Sequence, residues 1–173
     1  RDASTIYEVP IMMYKEKLDE VVLDHFLMKS KIQPDLNRWK DFLSRLQYPK
    51  RTLEIGLVGK YVELKDSYKS ITESFIHAGA ANEVEVKVRW IHSEHLTPKN
   101  ATELCKGLDG ILVAPGFGER GFEGKVATVQ YAREQKIPYF GICYGMQAAV
   151  IEYARNVLGL SLIHISEPTR PGH

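Results

Sequence analysis

Gly141-Ile142-Cys143-Tyr144-Gly145 places a cysteine between two glycines, where a short apolar run gives way to an amphipathic one. Flanking glycines allow a tight strand-to-helix turn that pushes the middle side chain into solvent, as in a nucleophile elbow with Cys in the place of Ser. At a helix start the Cys143 thiolate is favoured by the positive end of the helix dipole and by unpaired N–H groups. The amide of Tyr144 would then face an oxyanion forming on a carbonyl under attack. The chemistry so encoded is acyl transfer to sulfur, and its structural alternative is a buried cysteine packed between two small residues.

A second loop, Ala114-Pro115-Gly116-Phe117-Gly118-Glu119-Arg120-Gly121, follows another apolar run. Pro115 has no N–H, so the donor at this turn is the Gly116 amide, which a substrate can approach closely. A glycine-rich turn alone is a weak signal, and this one lacks the G-K-[ST] ending of a phosphate loop. Its weight comes from being paired with the elbow, since the two loops together supply two halves of an oxyanion hole.

Elements that could hold these loops are visible from Leu53 onward. Strands are predicted at Leu53 to Val58, Val84 to Ile91, Gly110 to Ala114 and Pro138 to Cys143. Helices are predicted at Ser67 to Gly79, Lys99 to Gly107, Gly121 to Gln135 and Met146 to Leu158. Strand then helix, repeated, implies an α/β fold with a parallel sheet covered by helices on both faces. Ligands in such sheets bind beyond the carboxyl ends of the strands, which directs attention to the loops after Val58, Ala114 and Cys143. Before Leu53, apolar spacing predicts a helix within Ile6 to Met28, and Asp35 is expected to cap a short helix carrying Leu36, Trp39, Phe42, Leu43 and Leu46.

Composition narrows the function classes. The chain has 173 residues, 44% of them apolar and 26% charged, which is globular rather than disordered. With 23 Lys and Arg against 22 Asp and Glu, the net charge of +1 gives no basic footprint for nucleic acid or an anionic membrane. Neither a membrane-spanning apolar run nor a signal or transit pattern is present, so a soluble, cytoplasmic protein is expected. Cys105 and Cys143 form no disulfide framework and no zinc spacing, and no metal site is expected. Cys105, within a predicted helix, reads as a packing residue.

Three segments carry a family resemblance: Gly141 to Gln147, Gly116-Phe117-Gly118-Glu119-Arg120-Gly121-Phe122-Glu123-Gly124-Lys125, and Val58-Gly59-Lys60-Tyr61-Val62-Glu63-Leu64 with Asp66 and Tyr68. Together they closely resemble the CTP synthase family, from about Asp2 to Gly159. The resemblance implies a partial class I glutamine amidotransferase domain, flavodoxin-like in fold, over residues 52–160. It also implies a C-terminal remnant of a synthetase domain at 1–28 and an interdomain linker with a short helix at 29–51. Family chemistry hydrolyses glutamine through a thioester, and the ammonia passes to a site where ATP-activated UTP becomes CTP. On the matching positions, Cys143 is the nucleophile, and Gly116 and Tyr144 supply the oxyanion-hole amides. Those two residues with Gly145, Met146 and Gln147 line the glutamine site. Phe117 and Arg120 match part of the GTP effector site, where an aromatic face and a guanidinium can stack on a purine. Asp2 and Ala3 match an ATP-contacting segment. ATP, Mg2+, UTP and the activator GTP belong to the parent enzyme, which the resemblance makes a homotetramer; no cofactor is assigned to these residues themselves.

Two positions depart from the family pattern, which has Leu where Tyr144 stands and a second Gly where Pro115 stands; both changes keep the required amide hydrogens. The family's imidazole base and its orienting carboxylate come from an H-P-E segment downstream of the elbow that this sequence does not contain. His25, His77, His92 and His95 are read as packed or solvated rather than as substitutes, so the chain by itself is expected to be catalytically incomplete. Residues 161–173 resemble the translation of a transposase sequencing adapter and are read as a processing scar outside the fold. Two other readings stand beside this one: the glutaminase part of a different amidotransferase, and a non-catalytic module that binds glutamine or a nucleotide.

Overall fold

Side chains alternate along β1 (Arg51–Gly59) and β3 (Gly110–Val113), and both faces they reach are apolar. Leu57 and Leu112 point to one face, where Ile71 and Phe75 pack against them. Val58, Ile111 and Val113 point to the other, covered by Leu96, Ala101, Cys105 and Ala132. A sheet apolar on both sides has to be covered on both, and that is the condition under which parallel strands are stable. In the computed structural model, which describes residues 2–29 and 32–160, β1 pairs in parallel with β3, with Val58 opposite Val113. β3 in turn pairs in parallel with β4 (Tyr139–Gly141), with Val113 opposite Gly141. β2 (Val84–His92) lies on the far side of β1, giving the order β2-β1-β3-β4. It runs the same way as β1, because the amides of Lys50 and Ser93 donate to the carbonyls of Glu83 and Gly59. The expected α/β architecture is therefore present. Residues 161–173, read from sequence as a processing scar, lie outside the described residues.

Naming helices in chain order, α1 is Val9–Lys15, α2 Leu18–His25, α3 Asn37–Gln47, α4 Lys69–Asn82, α5 Ala101–Cys105, α6 Phe122–Gln135 and α7 Tyr144–Asn156. Several boundaries differ from the sequence expectation, each for a local reason. α5 is shorter than Lys99 to Gly107 because the Asn100 carboxamide oxygen accepts from the Thr97 amide at 2.8 Å, forming a turn first, and Gly107 then takes a positive φ of 79°. β4 is shorter than Pro138 to Cys143 because Pro138 has no N–H and only its carbonyl joins the ladder, accepting from Ile111 at 2.9 Å. α7 starts at Tyr144 rather than Met146, immediately after the cysteine.

The chain divides into two compact units, one taking residues up to 51 together with 77–85, the other 52–76 and 86 onward. In the first, the helix expected across Ile6 to Met28 is not continuous. A 3-10 turn at Ile6–Glu8 leads into α1, and Lys17, left-handed with φ 58°, separates α1 from α2. Asp35 is not the cap residue of α3. That position is Leu36, and the Asp35 carboxylate instead accepts from the Asn37 amide at 2.9 Å. Trp39 donates its indole N–H to the Tyr7 carbonyl at 2.8 Å, and the Tyr7 hydroxyl lies 2.8 Å from Nε2 of His77. His77 is thus engaged by an aromatic cluster of this unit.

In the second unit α6 and α7 pack through Val126, Val129 and Ala148 and are fastened by an ion pair. Arg133 reaches the buried Glu152 at 2.7 Å, and Asn156 adds a bond at 3.1 Å. Burial alone would raise the Glu152 carboxyl, but the bonds from Arg133 and Asn156 outweigh it and hold it below its ordinary value of 4.5. Removing the cation strands a buried carboxylate, so Arg133→Met is expected to cost about 3 kcal/mol at neutral pH. A depressed acid stabilises the fold above its unfolded pKa and loses that contribution as pH falls through the folded one. In the variant burial acts on Glu152 without its cation, so the difference between wild type and variant, measured by denaturant melts, should begin to shrink above pH 4.5 and go on shrinking as pH falls through the depressed wild-type value.

Candidate active site

The turn from β4 into α7 is confined by atoms on both sides. A Cβ on Gly141 would stand 2.4 Å from the Gly145 carbonyl carbon and 2.5 Å from the Met146 nitrogen, and one on Gly145 would stand 2.3 Å from the Val113 carbonyl oxygen. Neither position admits a side chain without moving backbone. Between them Cys143 adopts φ 53°, ψ −108°, a conformation that side-chain-bearing residues rarely take. The elbow is secured by the Ile142 amide donating to the Val113 carbonyl at 3.0 Å and the Gly145 amide donating to the Ile142 carbonyl at 2.9 Å. Cys143 is exposed at the N-cap of α7, whereas Cys105 is buried and its thiol is pushed up to about 11 by that burial. Of the two thiols, only Cys143 is placed to attack an incoming group.

Beside the elbow, the loop after β3 is held from beneath by two buried lysines. Tyr68 anchors the first: its hydroxyl accepts from the amides of Lys60 at 3.1 Å and Tyr61 at 3.2 Å, fixing the turn after β1. The Lys60 ammonium then donates to the carbonyls of Phe117 and Gly118. Lys125, fully buried at the start of α6, donates to the Ala114 carbonyl at 2.9 Å and to that of Gly116 at 3.5 Å. Burial and the charge of Lys60 bring the Lys125 ammonium down to about 8, with Cys143 acting in the opposite direction. Gly116 has φ 136°, open to glycine, and its amide donates to no group among the described residues. A backbone donor and a solvent-facing thiol thus sit on loops leaving adjacent strands, an arrangement suited to a carbonyl under attack by sulfur.

Comparison with known proteins settles the lineage. A family profile described as glutamine amidotransferase class-I matches residues 63–172. The chain belongs to the class-I glutamine amidotransferase family. It is 63% identical to a CTP synthase of Cytophaga hutchinsonii over 159 residues, covering 92% of this chain and 30% of that protein. Against a CTP synthase of Bacillus velezensis it is 49% identical over 172 residues, covering 98% and 32%. The glutaminase domain of the Trypanosoma brucei CTP synthase, solved with bound acivicin, matches with a TM-score of 0.57 and 46% identity, over 62% of this chain and 42% of that one. The resemblance read from the three motifs is thereby borne out, and the chain spans about 30% of the length of the curated relatives it matches.

Within this amidotransferase unit the residues singled out from sequence fall as follows. Tyr144 turns its ring inward, 3% exposed, against Phe122 at 4.9 Å and Phe117 at 6.3 Å, with the Lys125 ammonium 5.2 Å from the ring centre. Its bulk, where the family pattern has Leu, is therefore taken up inside the fold. Met146 is exposed, and the half-buried Gln147 donates its amide to the Cys143 carbonyl at 3.2 Å. Phe117 is 74% exposed, while Arg120 pairs with Glu94 at 2.8 Å. Asp2 and Ala3 belong to the other unit, where they line a groove with Val9, Met12, Met13 and Glu16.

Among the described residues no imidazole hydrogen-bonds Cys143, and His92 and His95 stack on each other at 4.6 Å. Among the described residues there is no cluster of three or more His, Cys, Asp or Glu able to hold a metal ion. No described helix is long and apolar enough to cross a membrane. Sequence reading missed Lys60 and Lys125 as working parts of the loop. No local signal marked them: Lys125 lies within the run Gly124 to Val129, and only the structure shows that all of that run is buried.

The elbow's strain is testable directly. A side-chain-bearing residue in a sparsely populated conformation costs about 1 to 3 kcal/mol, against about 0.5 to 1 kcal/mol for the added flexibility of an unfolded glycine. Cys143→Gly is therefore expected to stabilise the chain by about 1 kcal/mol while removing the reactive thiol. A denaturant melt showing the variant less stable than wild type would count against a strained elbow.

Proposed function

We propose that this chain is a fragment of a CTP synthase, running from the end of the synthetase domain into the first part of the glutaminase domain, with Cys143 as the glutaminase nucleophile. The observation that carries the reading is the exposed cysteine held at φ 53° at the start of α7 between two glycines that admit no Cβ. In the proposed reaction the Cys143 sulfur bonds to the side-chain carbonyl carbon of glutamine, and the carbonyl electrons move onto oxygen. The amides of Gly116 and Tyr144 receive that oxyanion; a single such donor is worth about 100- to 1000-fold in rate. Collapse breaks the C–N bond, ammonia leaves with an added proton, and water then cleaves the thioester to give glutamate and the free thiol. Gly145, Met146 and Gln147 line the glutamine side of the turn. The proton is carried by an imidazole and its carboxylate, which the family resemblance places downstream of the elbow rather than on the histidines of this chain.

The whole-enzyme part of the proposal rests on curated relatives named CTP synthase. Ammonia released here aminates UTP activated by ATP with Mg2+ at a synthetase site, in a cytoplasmic homotetramer. Residues 1–28 are assigned to the end of that synthetase domain, with Asp2 and Ala3 toward ATP, 29–51 to the linker and 52–160 to the glutaminase. The exposed Phe117 ring and the nearby Arg120 guanidinium are assigned to the activator GTP, whose purine an open aromatic face can stack on.

An electrophilic glutamine analogue such as acivicin tests the site. Cys143 should be labelled at least about 100-fold faster than the buried Cys105, as expected for an accessible against an inaccessible thiol, with excess glutamine slowing the reaction. Labelling of Cys143 no faster than Cys105, or indifference to glutamine, measured by mass spectrometry of the intact and digested chain, would overturn the reading.

A further inference from the structure

Lys125 bridges two peptide groups that flank a third. Its ammonium donates to the Ala114 carbonyl, in the peptide before Pro115, and to the Gly116 carbonyl, in the peptide before Phe117. Between these lies the Pro115–Gly116 peptide, which carries the Gly116 N–H. Because Gly116 has no side chain and sits at φ 136°, no Cβ restrains the rotation of that middle peptide. Holding the carbonyls on either side, closely at Ala114 (2.9 Å) and at longer range at Gly116 (3.5 Å), restricts that freedom. We propose that Lys125 is a positioning residue of the thiol site: by pinning the Ala114 and Gly116 carbonyls, its buried ammonium fixes the direction of the Gly116 N–H beside the Cys143 elbow. This rests on the reading of Cys143 as the nucleophile.

The position is an expensive one for a merely structural residue. An ammonium withdrawn from water carries a desolvation cost, whereas Met fills nearly the same volume without it. Two of the three donors of Lys125 are engaged by the loop carbonyls, and the ammonium also lies over the face of Tyr144, the residue next to the thiol. The charged and titratable groups acting on it are Lys60, from the turn after β1, and Cys143, from the turn after β4. Both belong to the same three-loop cluster. When Lys125 loses its proton it keeps donors but loses the charge that strengthens its bonds to carbonyls, so the loop should respond to its titration.

The test uses the full chain, isotope-labelled, and its Lys125→Met variant. In wild type the Gly116 amide resonance is expected to move with pH with a midpoint of about 8, and in the variant that step should vanish. In parallel, Cys143 is labelled with a glutamine-derived chloroketone, whose carbonyl oxygen needs the amide donor, and with iodoacetamide, which does not. The variant should lower the chloroketone rate at least about tenfold more than the iodoacetamide rate, a fraction of what one oxyanion donor is worth. An unchanged ratio of the two rates, with Cys143 still reactive, overturns the role of Lys125 and leaves the nucleophile assignment standing. A wild-type Cys143 that ignores the chloroketone overturns the nucleophile assignment instead. If the variant gives no cooperative melt, the wild-type titration decides alone: a Gly116 amide that stays still between about pH 6 and about pH 10, where the buried ammonium discharges, overturns the proposal.

Discussion

The carbonyl of Val113 is the point from which the site is built. It ends β3, the strand that pairs with both β1 and β4, and it accepts the Ile142 amide at 3.0 Å as the chain leaves β4. The same oxygen would be 2.3 Å from any Cβ at Gly145, so α7 can start where it does only because that residue has none. One acceptor therefore sets both the exit of the strand and the entry of the helix. Cys143, caught between those two fixed points, has no room to relax from its left-handed conformation.

Keeping a strained turn and a buried ammonium requires stability from elsewhere in the unit. α6 and α7 provide it by packing Val126, Val129 and Ala148 together and joining Arg133 to the buried Glu152. The two helices also carry the working groups, Lys125 on α6 and the elbow at the head of α7. Packing and chemistry are thus coupled through one helix pair: loosening it would shift the thiol and the loop beside it together.

How much of this was legible in the sequence depended on the range of the interaction. The strands showed because Leu57, Val58, Ile111, Leu112 and Val113 are apolar without interruption, as strands buried on both faces must be. The elbow showed because its three determinants lie within five residues. The break at Lys17 did not, since the apolar spacing continues across it and only a left-handed backbone reveals the turn. Nor did the clamp on the 114–118 loop. Lys60 and Lys125 reach carbonyls 57 and 11 residues away, and nothing in the local pattern of either lysine tells a buried ammonium from a solvated one.

The confinement of Gly141 and Gly145 divides the pressures on this stretch of chain. At 141 and 145 almost any change meets backbone atoms, so those positions are closed to drift whatever the protein is used for. At 143 the side chain projects into solvent, so the fold packs nothing against it and only its backbone conformation is constrained. A lineage that gave up the chemistry could exchange the cysteine for serine or alanine while retaining both glycines. In such descendants the pair of glycines would persist as a fossil of the turn, marking where a nucleophile once stood.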